Sequence, residues 1–327
     1  MTVKYPYLVA DIGGTNARFG LVTQSCSAGQ NFRIENIQKY PSKQFENISQ
    51  AVKHYINSLG TTTIHGACLA VAGPVETDKI LLTNLNWRFS IEQLKRDLKL
   101  DTLQVINDFA AYALATRYIS NQEIIGIKSG VPINAAPIAV IGPGTGFGVA
   151  SLVRMATKPK PQWKVLASEG GHMSLAAHTE LQSAVIDYLN RKNPFVTLES
   201  IFSGPGLGNL YEALSAVNDL NQKPLNASQI SEIANNEPDS LAFKTFQLFC
   251  DWLGQSASDL AVTFGARGGV YLCGGILKKN ADLLTQSNFT AGFTANPIMK
   301  NYLESIPVNL VLANNSALTG AAAYYQQ

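Results

Sequence analysis

Short polar side chains cluster at a glycine turn near the start of the chain. The turn Gly13-Gly14-Thr15-Asn16 lies between the apolar runs 7–10 and 21–22, which predicts a strand, a turn and a second strand. Paired glycines let a ligand approach the backbone, and Thr15 and Asn16 add side-chain donors. A phosphate chain suits such a turn. The alternative is an ordinary hairpin turn with Asp11 as a cap.

The spacing fits neither of two familiar phosphate loops. A dinucleotide loop opens a helix, and a Walker loop carries Lys after its glycines. Here no Lys follows the glycines, and residues 17–22 predict a strand. The carboxylate of Asp11 would repel bound phosphates unless a metal ion lay between them. The motif therefore indicates a nucleotide together with Mg²⁺.

A second turn of the same kind, Gly142 to Gly148, lies between the apolar segments 138–141 and 149–153. Both turns place Gly-Thr ahead of Phe-Gly, which indicates two halves built on one plan, each with a phosphate-binding hairpin. Chance similarity between glycine-rich turns is the alternative. A third glycine turn, Gly274-Gly275, also follows a predicted strand.

Asn107-Asp108 lies where a predicted strand, 103–106, ends and a predicted helix, 109–118, begins. The carboxyl ends of strands are where α/β proteins place ligands. Asp108 is therefore a candidate catalytic carboxylate. The alternative is that it only caps the helix, as Asp often does.

Two further carboxylates and an imidazole are candidates for binding a small polar ligand. Glu169 and His172 flank a pair of glycines, and Glu199 precedes a Ser-Gly-Pro-Gly turn, although alone it reads as a solvated helix residue. A metal site formed by Glu169, His172 and His178 is conceivable, but their spacing fits no established pattern such as HExxH.

The elements that must position these residues alternate between strand-like and helix-like segments, which predicts an α/β fold with a partly parallel sheet. A chain of 327 residues predicts two lobes, meeting near 117–121.

With 25 basic and 23 acidic residues, no charge excess points to nucleic acid or an anionic membrane. No signal peptide or bilayer-length apolar stretch is evident, so we expect a cytoplasmic protein. Cys26, Cys68, Cys250 and Cys273 form no close pair and are expected to be reduced.

Together these motifs resemble the bacterial glucokinase family, within the sugar kinase, actin and Hsp70 ATPase superfamily. The resemblance spans nearly the whole chain and includes segments 11–20, 72–75, 83–87, 106–109, 142–148, 169–172, 203–210 and 273–275. It implies a two-lobed, actin-like (ribonuclease H-like) ATPase fold, in which each lobe is a mixed sheet flanked by helices and the active site lies in the cleft between lobes. The implied domains are a small one, 1–118 with 314–327, and a large one, 119–313.

The resemblance also implies residue roles. Asp108 would be the catalytic base on the 6-hydroxyl of D-glucose, which becomes glucose 6-phosphate. Asp11 would hold Mg²⁺ through water. The sugar would be bound by Asn107, Asp108, Glu169, His172, Glu199 and Gly73. ATP would be bound by Ala10, Asp11, Ile12, Gly13, Gly14, Thr15, Asn16, Gly142, Gly144, Thr145, Gly146, Gly148, Gly274 and Gly275.

One departure separates this chain from the related ROK kinases and repressors. Those proteins carry a zinc-binding cysteine cluster after their Gly-His motif, whereas no cysteine lies between Cys68 and Cys250 here. A zinc-free glucokinase, expected as a homodimer, is favoured. The alternatives are a kinase for another hexose or an amino sugar, a sugar-sensing repressor and an actin-like ATPase. Asp11 leaves little room upstream for a DNA-binding motif.

Overall fold

The chain divides into two compact units in a computed structural model that describes residues 3–24, 32–60, 62–82, 84–157 and 161–327. The first unit comprises Met1–Asn121, Ala156–Ala167 and Ala313–Gln327, and the second comprises Gln122–Met155 and Ser168–Leu312. Residues 156–167 are thus counted with the first unit. The boundaries expected from the resemblance, 1–118 with 314–327 and 119–313, remain a prediction.

The elements up to residue 115 alternate as the sequence predicts. In chain order they are β1 (Tyr7–Ile12), β2 (Asn16–Val22), β3 (Ile34–Pro41), α1 (Ile48–Ser58), β4 (Gly66–Val71), β5 (Lys79–Leu82), β6 (Trp87–Ser90), α2 (Ile91–Asp97), β7 (Thr102–Asn107) and α3 (Asp108–Ala115).

The rest of the chain is richer in helix. Its elements are β8 (Ile124–Lys128), β9 (Ile138–Pro143), β10 (Phe147–Met155), β11 (Gln162–Ser168), α4 (Glu180–Asn190), α5 (Gly204–Val217), α6 (Ala227–Asn236), α7 (Leu241–Phe264), β12 (Val270–Leu272), α8 (Gly275–Lys279), α9 (Ala281–Thr285), α10 (Phe289–Phe293), α11 (Lys300–Glu304), β13 (Val308–Val311) and α12 (Ser316–Tyr325).

The first unit is built on a mixed sheet with the strand order β3-β2-β1-β4-β7. Strand β1 pairs antiparallel with β2 and parallel with β4, and β4 pairs parallel with β7. Every residue of β4 is buried, as expected for a central strand covered on both faces. One face packs on α12, which also packs closely on α3, where a Cβ on Gly320 would collide with the carbonyl oxygen of Ala111.

The second unit repeats this plan. Its sheet has six strands in the order β11-β10-β9-β12-β13-β8. Strand β9 pairs antiparallel with β10 and parallel with β12, and β12 pairs parallel with β13. The residue that follows β4 and the residue that follows β12 also make the same kind of backbone hydrogen bond to the neighbouring strand. Ala72 donates its N–H to Ile12 O (3.2 Å), and Cys273 donates its N–H to Ile141 O (2.7 Å). Both predicted hairpins are therefore present, each at the start of the same arrangement of strands.

The long helix predicted from 240 to 264 forms the centre of the second unit. Ser240 caps α7 by accepting the N–H of Phe243 at 3.1 Å, and Gly265, with φ of 60°, ends it. Its inward side chains, including Trp252, belong to the same buried apolar cluster as Ile141 of β9. Helix α7 therefore packs against β9, one of the two strands of the second hairpin.

Candidate active site

The first hairpin turn is closed tightly and still leaves donors available. Gly13 donates its N–H to Asn16 O at 3.0 Å, while Ser42 donates its hydroxyl to Gly13 O (2.8 Å) and its N–H to Thr15 O (3.0 Å). Among the described residues, the N–H groups of Gly14 and Thr15 donate to no acceptor. A turn fixed from outside, with two backbone donors left over, is suited to bind an anion.

Gly14 also makes room for a neighbouring loop. A Cβ at this position would lie 2.9 Å from Cβ of Asn84, which is closer than such atoms approach. Asn84 belongs to the sequence motif 83–87, and Thr83 of that motif lies outside the described residues. The second glycine is therefore required by packing as well as by access to the backbone.

Asp11 is a carboxylate with little compensating charge. It faces Arg18 across the hairpin, but the nearest charged atoms are 3.9 Å apart and the Asp11 side chain is only 25% exposed. Burial raises its pKa above the ordinary value, and Arg18 opposes that effect. A bound cation would relieve this cost, so the site fits a divalent metal ion.

Asn107 and Asp108 occupy the junction of β7 and α3. The helix cap is Asn107, whose Oδ1 accepts the N–H of Ala110 at 2.9 Å. Asp108 is the first helical residue, and its Oδ1 accepts the N–H of Phe109 at 2.7 Å and Nδ2 of Asn107 at 3.3 Å. The alternative that Asp108 is the cap is wrong, because the chain turns into the helix one residue earlier.

Gly73 completes this group through its backbone. Its φ of 136° is readily adopted only by glycine, and its carbonyl oxygen accepts Nδ2 of Asn107 at 3.1 Å. Because Ile12 pairs with Val71 and Val71 with Asn107, the hairpin, Gly73 and Asp108 follow the carboxyl ends of three adjacent parallel strands. The first unit thus brings its predicted residues to one edge of its sheet.

The second hairpin turn has the same character. Gly144 donates its N–H to Gly146 O at 2.8 Å, and its own carbonyl oxygen accepts the N–H of Gly204 at 2.8 Å. In the described part of the chain, the N–H groups of Thr145 and Gly146 donate to no acceptor. This turn, like the first, is held by a neighbouring segment and retains two backbone donors.

Glu199 is bound directly to that hairpin. Its Oε2 accepts the N–H of Phe147 at 2.8 Å, and a Cβ on Gly146 would lie 2.5 Å from the same oxygen. Glu199 lies in a turn before α5, which begins at Gly204, so its interpretation as a solvated helix residue is wrong. The physical reason is that Ser203 caps the helix, which leaves the preceding segment free to run beside the hairpin.

The Gly170-Gly171 pair packs against β10. A Cβ on Gly170 would lie 2.8 Å from Cβ of Val149, and one on Gly171 would collide with the carbonyl oxygen of Phe147. His172 donates its N–H to Glu169 O at 3.0 Å, closing a short 3-10 turn from which both side chains are exposed. The glycines therefore place two polar side chains beside the hairpin strand.

Gly274 packs against Pro143, beside the second hairpin turn. Its φ is 97°, and a Cβ there would collide with the carbonyl oxygen of Pro143, at the end of β9. Gly275 opens α8, is exposed, and has open space where a side chain would be. Gly73 and Gly274 thus occupy corresponding positions in the two units, one after each central strand.

Comparison with known proteins decides what this arrangement belongs to. The model of the family described as Glucokinase matches residues 8–327. The chain belongs to the glucokinase family. A glucokinase of Saccharophagus degradans is 40% identical over 323 residues, covering 99% of each chain. The crystal structure of a glucokinase from an Antarctic psychrotroph has 44% identity and a TM-score of 0.89, covering 99% of each chain.

A ROK family glucokinase from Streptomyces griseus, solved with glucose and AMPPNP, has 20% identity and a TM-score of 0.64, covering 98% of this chain and 99% of that one. At this identity the likeness shows the fold alone. The predicted actin-like α/β fold and the predicted enzyme class of glucokinase are confirmed. In the described part of the chain, no helix is both long and apolar enough to cross a membrane.

Each unit of this glucokinase family member assembles its own share of the predicted residues. The first unit carries Ala10, Asp11, Ile12, Gly13, Gly14, Thr15, Asn16, Gly73, Asn107 and Asp108. The second unit carries Gly142, Gly144, Thr145, Gly146, Gly148, Glu169, His172, Glu199, Gly274 and Gly275. Their roles in binding and catalysis stay predictions.

The structure adds supporting residues that sequence reasoning missed. Ser42 holds the first turn, Gly204 holds the second, and Phe147 binds Glu199 through its N–H. Gly204 and Phe147 lie within the motif segments 203–210 and 142–148, but their supporting contacts are made by backbone N–H groups, which the residue types do not indicate. Ser42 lies outside those segments and is distant in sequence from the turn that it holds. The three described cysteines, Cys68, Cys250 and Cys273, are buried free thiols, while Cys26 lies outside the described residues. Among those residues, no group of three or more His, Cys, Asp or Glu side chains could hold a metal ion, the set of Glu169, His172 and His178 included.

Proposed function

We propose that this enzyme transfers the γ-phosphoryl group of ATP to the 6-hydroxyl of D-glucose, with Asp108 as the general base. The observation that carries the proposal is the placement of Asp108. It follows a parallel strand that lies two strands from the phosphate-type hairpin, and its carboxylate is oriented by the N–H of Phe109 and by Asn107. A base so placed accepts the hydroxyl proton as the sugar oxygen attacks phosphorus.

The two hairpins are proposed to bind the phosphates of ATP. Each turn keeps two backbone N–H donors without protein acceptors, at Gly14 and Thr15 in one unit and at Thr145 and Gly146 in the other. Preorganised donors of this kind stabilise charge that develops on the transferred group. Gly274, which packs closely against Pro143 of β9, and Gly275, which has open space where a side chain would be, are proposed to lie beside the adenosine.

Asp11 is proposed to hold Mg²⁺, through water. Its carboxylate is largely buried, and the charge of Arg18 at 3.9 Å only partly compensates it. When bound, the ion neutralises charge on the phosphate oxygens and orients them. Asp11 itself would position the hydrated ion beside the turn that binds the phosphates.

The sugar is proposed to be recognised by hydrogen bonds to its hydroxyls from Asn107, Glu169, His172 and Glu199, beside Gly73. A sugar lacking one of those hydroxyls would leave unpaired a polar group that the bound sugar covers, at a cost of about 1 to 3 kcal/mol for each. Glucose would thus be favoured over its epimers. Cytoplasmic location and a homodimer are proposed with this function.

A coupled assay of ADP release over a panel of hexoses and amino sugars tests the proposal. We expect turnover that depends on sugar and on Mg²⁺, with the highest kcat/KM for glucose. A higher value for another sugar would reassign the substrate within the same reaction. ATP hydrolysis without any sugar dependence would contradict a kinase and favour an actin-like ATPase.

A further inference from the structure

Glu199 is joined to the second hairpin by its carboxylate and to the glycine pair that precedes His172 by its backbone N–H. Its Oε2 accepts the N–H of Phe147 at 2.8 Å, and its own N–H donates to Gly171 O at 2.9 Å. Its carbonyl oxygen accepts the hydroxyl of Ser203 at 2.8 Å. The backbone of Glu199 is thus held on two sides while one carboxylate oxygen is bound to the phosphate-type turn.

We infer that Glu199 is a positioning residue that couples sugar binding to nucleotide binding. The inference rests on the proposed function and adds a physical connection between the two ligands. One oxygen of the carboxylate binds the hairpin, and the other is available to a sugar hydroxyl. Among the described residues, Oε1 of Glu199 accepts no hydrogen bond.

The coupling follows from the rigidity of a carboxylate group. Its two oxygens are held in one plane, so a hydroxyl that fixes Oε1 also fixes Oε2 and the N–H of Phe147 that it accepts. The adjoining turn, with its donors at Thr145 and Gly146, is then ordered before the nucleotide arrives. A ligand that binds an already ordered turn loses less conformational entropy, so its affinity rises.

Gly146 is part of the same connection. Because a Cβ there would lie 2.5 Å from Oε2 and 3.3 Å from Cδ of Glu199, alanine would displace the carboxylate from the hairpin while keeping it in the protein. Glu169 offers a matched control. It is also proposed to bind the sugar, but in the part of the chain that the structure describes its carboxylate accepts no hydrogen bond from the hairpin.

The test measures the Kd of AMPPNP with Mg²⁺ by calorimetry, with and without saturating glucose. In the wild-type protein we expect glucose to tighten nucleotide binding by about 5- to 150-fold, the usual range of coupling between two sites. Reciprocity requires that the nucleotide tighten glucose binding by the same factor. Glu199→Ala and Gly146→Ala should both bring the ratio close to one.

Two variants separate the hairpin link from sugar contact. Glu199→Gln keeps an oxygen that can accept the N–H of Phe147, so most of the ratio should return. Glu169→Gln should weaken glucose binding and leave the ratio as in wild type. The thermal midpoint of each variant reports whether it is folded, and either alanine variant tests the loss of the ratio where the other fails to fold.

The inference is overturned if wild type binds both ligands with a ratio of one, or if Gly146→Ala keeps the wild-type ratio. It is also overturned if Glu199→Gln loses the ratio as fully as Glu199→Ala, or if Glu169→Gln abolishes it. Absence of any glucose binding by wild type would instead contradict the proposed function.

Discussion

Replacing Asp108 with asparagine isolates the proposed proton transfer from folding. Asparagine keeps a side-chain oxygen at the position where Oδ1 accepts the N–H of Phe109 at 2.7 Å. It removes the negative charge and with it the ability to accept a proton at neutral pH. The shape of the site is retained, and Asn107 remains the cap of α3.

The expected effects on catalysis and on stability differ in size. Loss of a general base lowers kcat by about 10²- to 10⁴-fold, which corresponds to about 2.7 to 5.4 kcal/mol in the barrier. Loss of a carboxylate in the first turn of a helix removes about 0.3 to 1 kcal/mol of stability. Because the second effect is several times smaller, unfolding cannot account for the first.

The assay combines kcat from coupled ADP release with the Kd of glucose from calorimetry and the midpoint of thermal unfolding. We expect a large fall in kcat, a Kd within about threefold of wild type and a midpoint only a few degrees lower. A kcat close to the wild-type value would remove Asp108 from the mechanism. A large rise in Kd with unchanged kcat would make it a binding residue instead.

Three further substitutions test other parts of the structure. Asp11→Asn should lower kcat about 10²- to 10³-fold and, because burial raises the pKa of Asp11, should raise the thermal midpoint at pH 7. That gain should shrink as the pH falls and vanish below the ordinary pKa of 3.8, where the wild-type carboxylate is protonated in both the folded and the unfolded state. A lower midpoint at pH 7 would contradict this expectation. Lys128 donates hydrogen bonds from Nζ to the carbonyl oxygens of Ser129 (2.9 Å), Glu304 (2.8 Å) and Ile306 (2.8 Å). Lys128→Met removes all three and should lower the free energy of unfolding, measured in urea, by about 2 to 4 kcal/mol. Glu169→Gln should mainly raise the KM for glucose, and unchanged glucose kinetics would exclude it from the sugar site.

The local parts of the fold are predictable because their signals are local. Glycine turns between apolar runs predict both hairpins, and the periodic apolar residues before Gly265 predict α7 almost to its ends. The parallel pairing of β1, β4 and β7 follows from the alternation of strands and helices. The candidate polar residues were found because each lies beside a glycine or at the end of a strand.

The contacts that hold those residues depend on segments far apart in sequence. Ser42 reaches Gly13 across 29 positions, and Glu199 reaches Phe147 across 52. A serine or glutamate carries no local mark of such a partner. Taken alone, Glu199 predicts a solvated helix residue, and that interpretation is wrong because its environment is created by the cap at Ser203 and by the contact with the hairpin.

The chain continues differently after the corresponding strands β7 and β13 of the two sheets. In the first unit the chain leaves β7 through Asn107-Asp108 into α3. After β13 of the second unit it passes through Asn314-Asn315 into α12, which is counted with the first unit. The second link therefore carries neutral amides where the first carries a carboxylate, and an amide does not accept a proton at neutral pH. Both hairpins keep backbone donors, which depend on glycine rather than on charge. Under the proposed function, phosphate binding would depend on backbone donors of both hairpins, while proton transfer would depend on Asp108 alone.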